Sequence, residues 1–285
     1  MDGGRLLTAD GRTLAWTTYG TGPPLILHGG GPGGDPGYLL DLPTLEAPRT
    51  VVALHARGTG ASTRPKSYEL GDYAADLEAL REHLGIERMD VLGHSHGGFV
   101  AITWAAANPE RVGRLILANS HARFHRVRAD GPALIERHVG ESWFADASAA
   151  QARRVAEIDE LSDTDLAALY ARAVPLLFSR VGARETALTA RIAKTFNGDA
   201  LRWFNARIAP SFDLRPLLSG LTTPTLVIAG EHDPVAPPSA GLELADGLPE
   251  ATLTVIPNSG HFTAWESDGR AAFAQALSAF LGESG

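Results

Sequence analysis

The sequence carries a Gly-x-Ser-x-Gly motif at residues 93–97, with Ser95 at its centre. An apolar run, residues 89–92, precedes the motif, and a stretch of small residues follows it. A serine at such a strand-to-helix turn presents its hydroxyl above the edge of a sheet. Glycine is needed beside it because larger side chains would collide with the neighbouring strand and helix. This placement disfavours a simple glycine turn, and Ser95 is predicted to be a nucleophile.

A serine hydroxyl is a poor nucleophile near neutral pH, so it needs a base, and the base needs an acid to orient it. His261 follows the apolar run 252–256 and precedes a helical stretch, and Asp233 lies in the loop after another apolar run. Both therefore stand at the ends of predicted strands, as Ser95 does. They are predicted to complete a Ser-His-Asp triad, with Glu231 as the alternative acid.

A tetrahedral intermediate at Ser95 needs hydrogen-bond donors for its negatively charged oxygen. One is expected to be the backbone N–H of His96, the residue after the nucleophile. The other is expected from the glycine-rich loop 28–34, which follows an early apolar run. Glycines in such a loop let a backbone N–H approach the substrate closely. Gly30 is the predicted donor and Gly31 the alternative.

Other ligand chemistries explain these segments less well. The glycine-rich loop lacks the Gly-Lys-Ser/Thr of a phosphate-binding loop, and residues 58–60 lack the third glycine of a dinucleotide fingerprint. His94 and His96 could be paired metal ligands, but the residues after them include no Asp or further His to complete a hydrolytic metal site. We therefore expect neither a metal nor a cofactor.

Short apolar runs alternate with helical patterns over the first 120 residues. Such runs, each closed by Gly or a polar turn, are typical of strands buried on both faces of a mostly parallel sheet. Helices are predicted over 70–84 and 97–108, and a last one over 265–281. The predicted strands are Thr13–Tyr19, Pro24–His28, Thr50–His55 and residues 89–92, 115–118, 225–229 and 252–256.

The pattern changes between residues 121 and 214, where charged, alanine-rich helical stretches replace the strands. Ser162 and Asp165 have the spacing of a capping box at the start of one of these helices. The predicted fold class is therefore α/β. One domain is formed by residues 1–120 and 215–285, and it is interrupted by a helical insertion, the cap, at 121–214.

The composition excludes several classes of protein. The chain of 285 residues is 44% hydrophobic, contains no Cys and has a formal net charge of −8. Without Cys there is no disulfide framework, thiolate nucleophile or Cys-based zinc site, and the acidic balance argues against nucleic-acid binding. No signal peptide and no stretch of about 18 apolar residues is evident. We expect a soluble, cytoplasmic protein with no nucleic-acid or membrane partner, and its oligomeric state stays open.

The triad segments and the glycine-rich loop make the chain resemble an α/β-hydrolase over nearly its whole length outside the cap. The His-Gly-Gly-Gly-Pro-Gly-Gly loop at 28–34 and the Arg-Gly-Thr-Gly-Ala-Ser turn at 57–62 are most similar to the proline iminopeptidase-like branch. The resemblance implies a mostly parallel sheet flanked by helices, with a helical cap inserted after the sixth strand and covering the triad. It also implies that Ser95, Asp233 and His261 act as nucleophile, acid and base.

The sequence departs from that branch at two motif positions. His96 follows the nucleophile where proline iminopeptidases usually have Trp, and His-Ala at 55–56 stands where they usually have Asp-Gln. Those enzymes also bind the free amine of the substrate through carboxylates of the cap. Glu157, Asp159 and Glu160 are the candidates for this role, but carboxylates in an alanine-rich charged helix more often belong to a solvated face.

Aromatic residues of the cap are too numerous for all of them to lie on the surface, and some are expected to shape the substrate pocket. Others are expected only to pack the cap against the rest of the domain. The aromatic candidates include Phe196 and Phe204. The predicted substrate-binding residues are Gly31, Trp143, Phe144, Glu157 and Trp203.

The sequence thus predicts a cofactor-independent serine hydrolase. Its substrate is expected to be a small molecule or short peptide whose ester or amide bond, including that of an N-terminal proline peptide, is cleaved through an acyl-enzyme. A lactonase and a carbon–carbon bond hydrolase are alternatives that use the same triad. A receptor on this fold, with little or no turnover, is the alternative outside enzymes.

Overall fold

Eight strands form one sheet in the computed structural model, which describes residues 1–46 and 48–282, with the main chain alone at 125–128. The strands are β1 (Asp2–Leu7), β2 (Thr13–Tyr19), β3 (Pro24–His28), β4 (Thr50–His55), β5 (Met89–His94), β6 (Val112–Ala118), β7 (Thr225–Gly230) and β8 (Ala251–Ile256). Their spatial order is β1-β2-β4-β3-β5-β6-β7-β8. β2 pairs antiparallel with β1 and with β4, and the remaining neighbours pair in parallel. The mostly parallel sheet predicted from the sequence is confirmed.

Helices cover both faces of this sheet. They are α1 (Leu70–His83), α2 (His96–Ala107), α3 (Phe124–Glu136), α4 (Phe144–Ala156), α5 (Asp163–Ala173), α6 (Ala183–Ile192), α7 (Gly198–Trp203), α8 (Arg215–Leu218), α9 (Pro238–Gly247) and α10 (Arg270–Gly282). Within 1–46 and 48–282, none is long and apolar enough to cross a bilayer.

Successive residues of the central strands face two different core layers. Val91 of β5 packs with α1, α2 and α9, while Leu92 packs with α10 on the opposite face. Both residues are fully buried. A strand that is covered on both faces has a continuous apolar sequence. For this reason the central strands could be predicted from the sequence.

The first strand, β1, was missed because its sequence, Asp-Gly-Gly-Arg-Leu-Leu, contains poor strand formers. The strand β1 forms because it pairs with β2. Gly4 lies directly under the ring of Trp16, where a Cβ atom would be 2.2 Å from Trp16 Cζ2. The glycine is therefore explained by a contact across the strand pair, which local sequence cannot reveal.

The last helix starts at Arg270, five residues later than predicted. Residues 261–269 form turns instead. The side chain of Glu266 reaches back to accept the N–H groups of Gly260 and Phe262, both at 2.9 Å. These bonds hold the segment in a tight loop, so the predicted helix is confirmed from Arg270 to 281 and wrong over 265–269.

Helices and the loops between them form the segment between β6 and β7, with no strand among its described residues, so the insertion follows the sixth strand as the resemblance implied. The capping box at Ser162 is present, since its hydroxyl accepts the N–H of Asp165. α4 and α5 pack around a small separate core that includes Leu166 and Leu169. We propose residues 121–214 as the limits of the cap.

A buried ion-pair network fixes the turn at 57–62. Asp76 of α1 accepts from Arg57 Nε at 2.8 Å and from Arg12 Nη2 at 2.9 Å. Arg57 also donates to the carbonyl oxygens of Ser67 and Asp72. Asp76 is 3% exposed and Arg57 4% exposed. One buried carboxylate therefore pairs with two buried guanidinium groups.

Replacing Asp76 with Ala is expected to lower the free energy of unfolding by about 3–5 kcal/mol, because it removes the buried carboxylate that pairs with two buried guanidinium groups and leaves them only the more exposed Asp10 and Asp72. The matched control is Asp72→Ala. Asp72 lies 3.4 Å from the same Arg57, but its side chain is 42% exposed, so the expected loss is below about 1 kcal/mol. Urea denaturation of both variants measures the difference, and equal losses would contradict the assignment.

Candidate active site

Ser95 occupies a strained turn between β5 and α2, with φ 53° and ψ −118°. The turn packs so tightly that only glycine fits around it. A Cβ atom on Gly97 would lie 2.1 Å from the carbonyl oxygen of His28, and one on Gly93 would lie 2.4 Å from that of Gly97. The glycines of the motif are thus required by backbone contacts, as the sequence predicted.

His261 connects the Ser95 hydroxyl to the Asp233 carboxylate. Its Nε2 lies 2.9 Å from Ser95 Oγ, and its Nδ1 lies 2.9 Å from Asp233 Oδ2 and 3.0 Å from Oδ1. An ionised carboxylate can only accept a hydrogen bond, so Nδ1 carries the proton and Nε2 presents its lone pair to the serine. The structure therefore brings these three predicted residues together from separate loops.

Asp233 is fully buried, with several donors around its carboxylate. Oδ1 accepts the N–H groups of Val235 and Ala236 at 2.7 and 2.9 Å, and Oδ2 accepts the Asn119 amide at 2.9 Å. Burial alone would raise the pKa of Asp233, but His261 and these hydrogen bonds hold it below its usual value. Glu231, the alternative acid, is directed to the Asn258 N–H at 2.9 Å.

Asn119 was missed by the sequence reasoning. It directly follows β6, has φ 50° and binds Asp233 through its side chain. Its Nδ2 also lies 3.1 Å from the carbonyl oxygen of Gly260, beside His261. A polar residue at the end of an apolar run is the signal that identified Asp233, and applied to β6 it would have found Asn119.

The predicted oxyanion donor Gly30 requires a correction. Its N–H donates to the hydroxyl of Tyr38 at 2.6 Å, so this donor is already used. Gly30 still lies very close to the nucleophile, since a Cβ atom on it would be 2.7 Å from Ser95 Cβ. The N–H groups of Gly31 and His96 form no hydrogen bond within the described part of the chain. Gly31, the alternative, thus keeps a free N–H and stays the predicted donor of this loop.

Tyr38 and His94 form a hydrogen-bonded chain from the glycine-rich loop to the His261 loop. Because Tyr38 accepts from Gly30, its hydroxyl can donate to His94 Nδ1 at 2.8 Å. His94 Nε2 then donates to the main-chain oxygen of His261 at 2.8 Å. Burial lowers the pKa of His94 to about 3, which keeps the imidazole neutral with one proton. With the protons in these positions, the hydrogen bonds join the glycine-rich loop to the His261 loop.

Glu266 fixes the other side of the His261 loop. In addition to Gly260 and Phe262, it accepts the N–H of Ser179 from the cap at 2.9 Å. It is 2% exposed. One carboxylate therefore joins a cap segment to the residues on both sides of the base. No sequence signal pointed to it, since it lay inside a predicted helix.

A cavity of about 360 Å³ lies over Ser95, between the sheet and the cap. Gly31, Ser95 and His261 line it from the core domain. The cap contributes mainly apolar walls, including Ile135, Leu176, Ile192, Phe196, Leu201 and Phe204. Of the predicted substrate-binding residues, Gly31 lines this cavity.

The other four predicted substrate-binding residues lie outside the cavity lining, and their assignment is corrected. Trp143 packs against the ring of His138, and Phe144 begins α4. Glu157 is half-exposed and forms an ion pair of 2.8 Å with Arg153, as a solvated helix face would. Trp203 donates to Glu69 at 3.2 Å and stacks with Arg207. Their positions depend on the rotation of each cap helix, which composition does not give.

The histidines beside Ser95 do not form a metal site. The ring of His94 turns toward Tyr38 and the His261 carbonyl, whereas that of His96 packs against Tyr73 and Phe204. Among the described residues, no group of three or more His, Cys, Asp or Glu side chains could hold a metal ion. Burial lowers the pKa of His96 to about 3, so this side chain is neutral.

Comparison with known proteins places this geometry in a family. A family model described as "alpha/beta hydrolase fold" matches residues 23–268. The chain is 31% identical to a 2-hydroxymuconate semialdehyde hydrolase from Pseudomonas sp. (strain CF600), covering 98% of this chain and 94% of that protein.

Solved structures agree with the fold. A hydrolase from Pseudomonas aeruginosa PA01 is 26% identical and superposes with a TM-score of 0.73, covering 99% of this chain and 98% of that one. A proline iminopeptidase from Mycobacterium smegmatis, 23% identical over the same shares, also has a TM-score of 0.73. The chain therefore belongs to the α/β hydrolase fold family and is a hydrolase.

Proposed function

We propose that the protein is a serine hydrolase that cleaves a small carbonyl substrate through an acyl-enzyme on Ser95. The observation that carries this proposal is the 2.9 Å contact between Ser95 Oγ and the unprotonated Nε2 of His261. The nucleophile needs no rearrangement to lose its proton to that nitrogen. Asp233 holds the imidazole in the required tautomer and stabilises the imidazolium that forms.

The reaction then follows from the donors around Ser95. As Ser95 Oγ attacks the carbonyl carbon, the negative charge on the carbonyl oxygen is stabilised by the N–H groups of His96 and Gly31. His261 gives its new proton to the leaving group. Water, deprotonated by the same nitrogen, attacks the acyl-enzyme and releases the acid, which restores Ser95.

The cavity favours a small ester over a proline peptide. A peptide amine is cationic and needs a carboxylate, but Glu157 lies outside the lining. Among described residues the lining contains one acidic side chain, Asp35. Both of its oxygens already accept hydrogen bonds, from the Gly37 N–H at 2.8 Å and the Thr195 hydroxyl at 2.5 Å. The apolar walls suit an acyl chain or ring.

A carbon–carbon bond hydrolase is the second candidate. It is favoured by the 31% identity, over nearly the whole of both chains, to a 2-hydroxymuconate semialdehyde hydrolase. Such a reaction also places a carbonyl carbon beside the serine and needs a proton donor for the departing group. Turnover of 2-hydroxymuconate semialdehyde, compared with that of aryl esters, distinguishes the two candidates.

Ser95→Ala is expected to abolish labelling by a serine-directed phosphonate and to lower kcat by at least about 10³-fold on any substrate that the protein cleaves, because it removes the nucleophile. The control is Ser142→Ala, which removes the hydroxyl of an exposed serine and should change neither. Labelling is read by intact-protein mass spectrometry. Equal labelling of wild type and Ser95→Ala would contradict the proposal. Absence of both labelling and turnover in wild type would favour a receptor.

Asp233→Asn is expected to lower kcat by about 10³- to 10⁴-fold, since Asn no longer fixes the tautomer of His261. Glu231→Gln is the matched control, a carboxylate-to-amide change two residues away in the same loop, and should retain wild-type kcat. Steady-state rates on an aryl ester provide the measurement. The opposite ranking would transfer the role of acid to Glu231.

A panel of aryl acetates and butyrates, simple lactones and prolyl arylamide should show a higher kcat/KM for the esters than for the arylamide. The physical reason is that no free carboxylate of the described cavity lining is placed to bind the prolyl ammonium. Selective cleavage of the prolyl arylamide would reject this substrate assignment while leaving the triad in place.

A further inference from the structure

The cap wall of the cavity contains a cluster of three polar side chains outside the triad. Gln151 and Arg154 extend from successive turns of α4, and Tyr170 extends from α5. All three line the cavity. Arg154 Nε and Nη2 donate to Gln151 Oε1 at 3.2 and 3.0 Å, and the guanidinium lies over the Tyr170 ring at 5.6 Å from its centroid. The cluster holds the orientation of the guanidinium.

Arg154 lacks the partner that neighbouring arginines have. Arg153, one residue earlier, pairs with Glu157 at 2.8 Å, and Arg172 on α5 pairs with Asp146. Of the side chains that the structure describes, no carboxylate lies within 4.0 Å of the Arg154 guanidinium. Its Nη1 donates to none of them. The charge therefore faces a cavity whose walls are mostly apolar.

An unpaired cation in such a place carries a desolvation cost, and a carboxylate that enters the cavity would offset it. Burial lowers the pKa of Arg154, the direction expected where an opposite charge is missing. The guanidinium presents its donors in a plane that matches the two oxygens of a carboxylate. Asp35, the acidic residue of the described lining, forms no ion pair with Arg154 within 4.0 Å, so it does not fill this role.

We propose that Arg154 binds a carboxylate of the substrate at the cap wall, while the scissile carbonyl lies at Ser95. The inference rests on the proposed serine hydrolase and narrows its substrates to carbonyl compounds that carry a carboxylate away from the scissile bond. The same charge repels an ammonium group and so opposes peptides with a free amine. Gln151 acts as a positioning residue that fixes the guanidinium.

The test compares 4-nitrophenyl monoesters of dicarboxylic acids of six to ten carbons with the same esters capped by a methyl group at the free carboxylate. The ratio of kcat/KM, acid over capped ester, is measured for each length after subtraction of the uncatalysed rate. Wild type is expected to prefer the acid at its optimal length by at least about 10-fold. In Arg154→Gln this ratio should fall by about 10- to 100-fold, the effect of losing a charged hydrogen bond. Arg154→Lys should retain part of it.

Arg153→Gln is the matched control, because it removes an equal charge from the adjacent, solvent-facing position of α4. Its ratio should equal that of wild type. The ratio compares two substrates on one preparation, so a partly unfolded variant does not distort it. Equal ratios in wild type and Arg154→Gln, or no preference for the acid at any length, would overturn the inference.

A second readout needs no turnover. The free dicarboxylates should slow phosphonate labelling of Ser95, their diamides should not, and Arg154→Gln should remove the protection. Labelling without such protection rejects the carboxylate site but leaves the serine hydrolase intact. Absence of labelling and of ester turnover in wild type rejects the proposed function itself, so the two failures are distinct.

Discussion

The close packing of the Ser95 turn against the end of β3 is the constraint from which the site is built. Gly97 lies so near the carbonyl oxygen of His28 that no Cβ atom fits between them. This contact forces the strained conformation of Ser95, and it also brings the glycine-rich loop beside the nucleophile. The N–H groups of Gly31 and His96 are the donors that we propose for the oxyanion at Ser95.

Hydrogen bonds, several of them to the main chain, hold the remaining loops in place around the Ser95 turn. Asn119 joins the end of β6 to Asp233 and Gly260, and Glu266 joins the residues beside His261 to the cap. Tyr38 and His94 complete the set from below. Several of these bonds join segments that follow different strands, so the geometry of the three proposed catalytic residues is supported by neighbouring loops at the carboxyl edge of the sheet as well as by the contacts among the three residues. Such support is what a preorganised site requires.

The positions of Ser95, Asp233 and His261 could be predicted because buried parallel strands are continuous apolar runs in the sequence. The end of each run, where these residues lie, can be located from the sequence alone. It assigned the wrong glycine as donor because the competing acceptor, Tyr38, comes from a separate short helical segment that only the fold brings near. Trp143 and Trp203 were predicted to line the cavity because they are aromatic residues of the cap. They lie outside it, since a small rotation of a short helix moves a side chain out of a cavity. Arg154 gave no local signal either: its distinguishing property is a missing partner, which becomes visible only when its neighbours are placed.

The core domain and the cap therefore contribute different physical properties to the cavity. Burial lowers the pKa of His94 and His96, in the core domain, and of His121, at the start of the cap, to about 3, so these three histidines are neutral near pH 7. Asp233 is the charged side chain that is hydrogen-bonded to His261, as the proposed role of His261 as general base requires. The cation that faces the cavity comes from the cap, on α4. The proposed reaction thus depends on an edge of the sheet that the sequence predicts. The proposed preference for a substrate carboxylate depends on cap helices whose orientation the sequence does not predict.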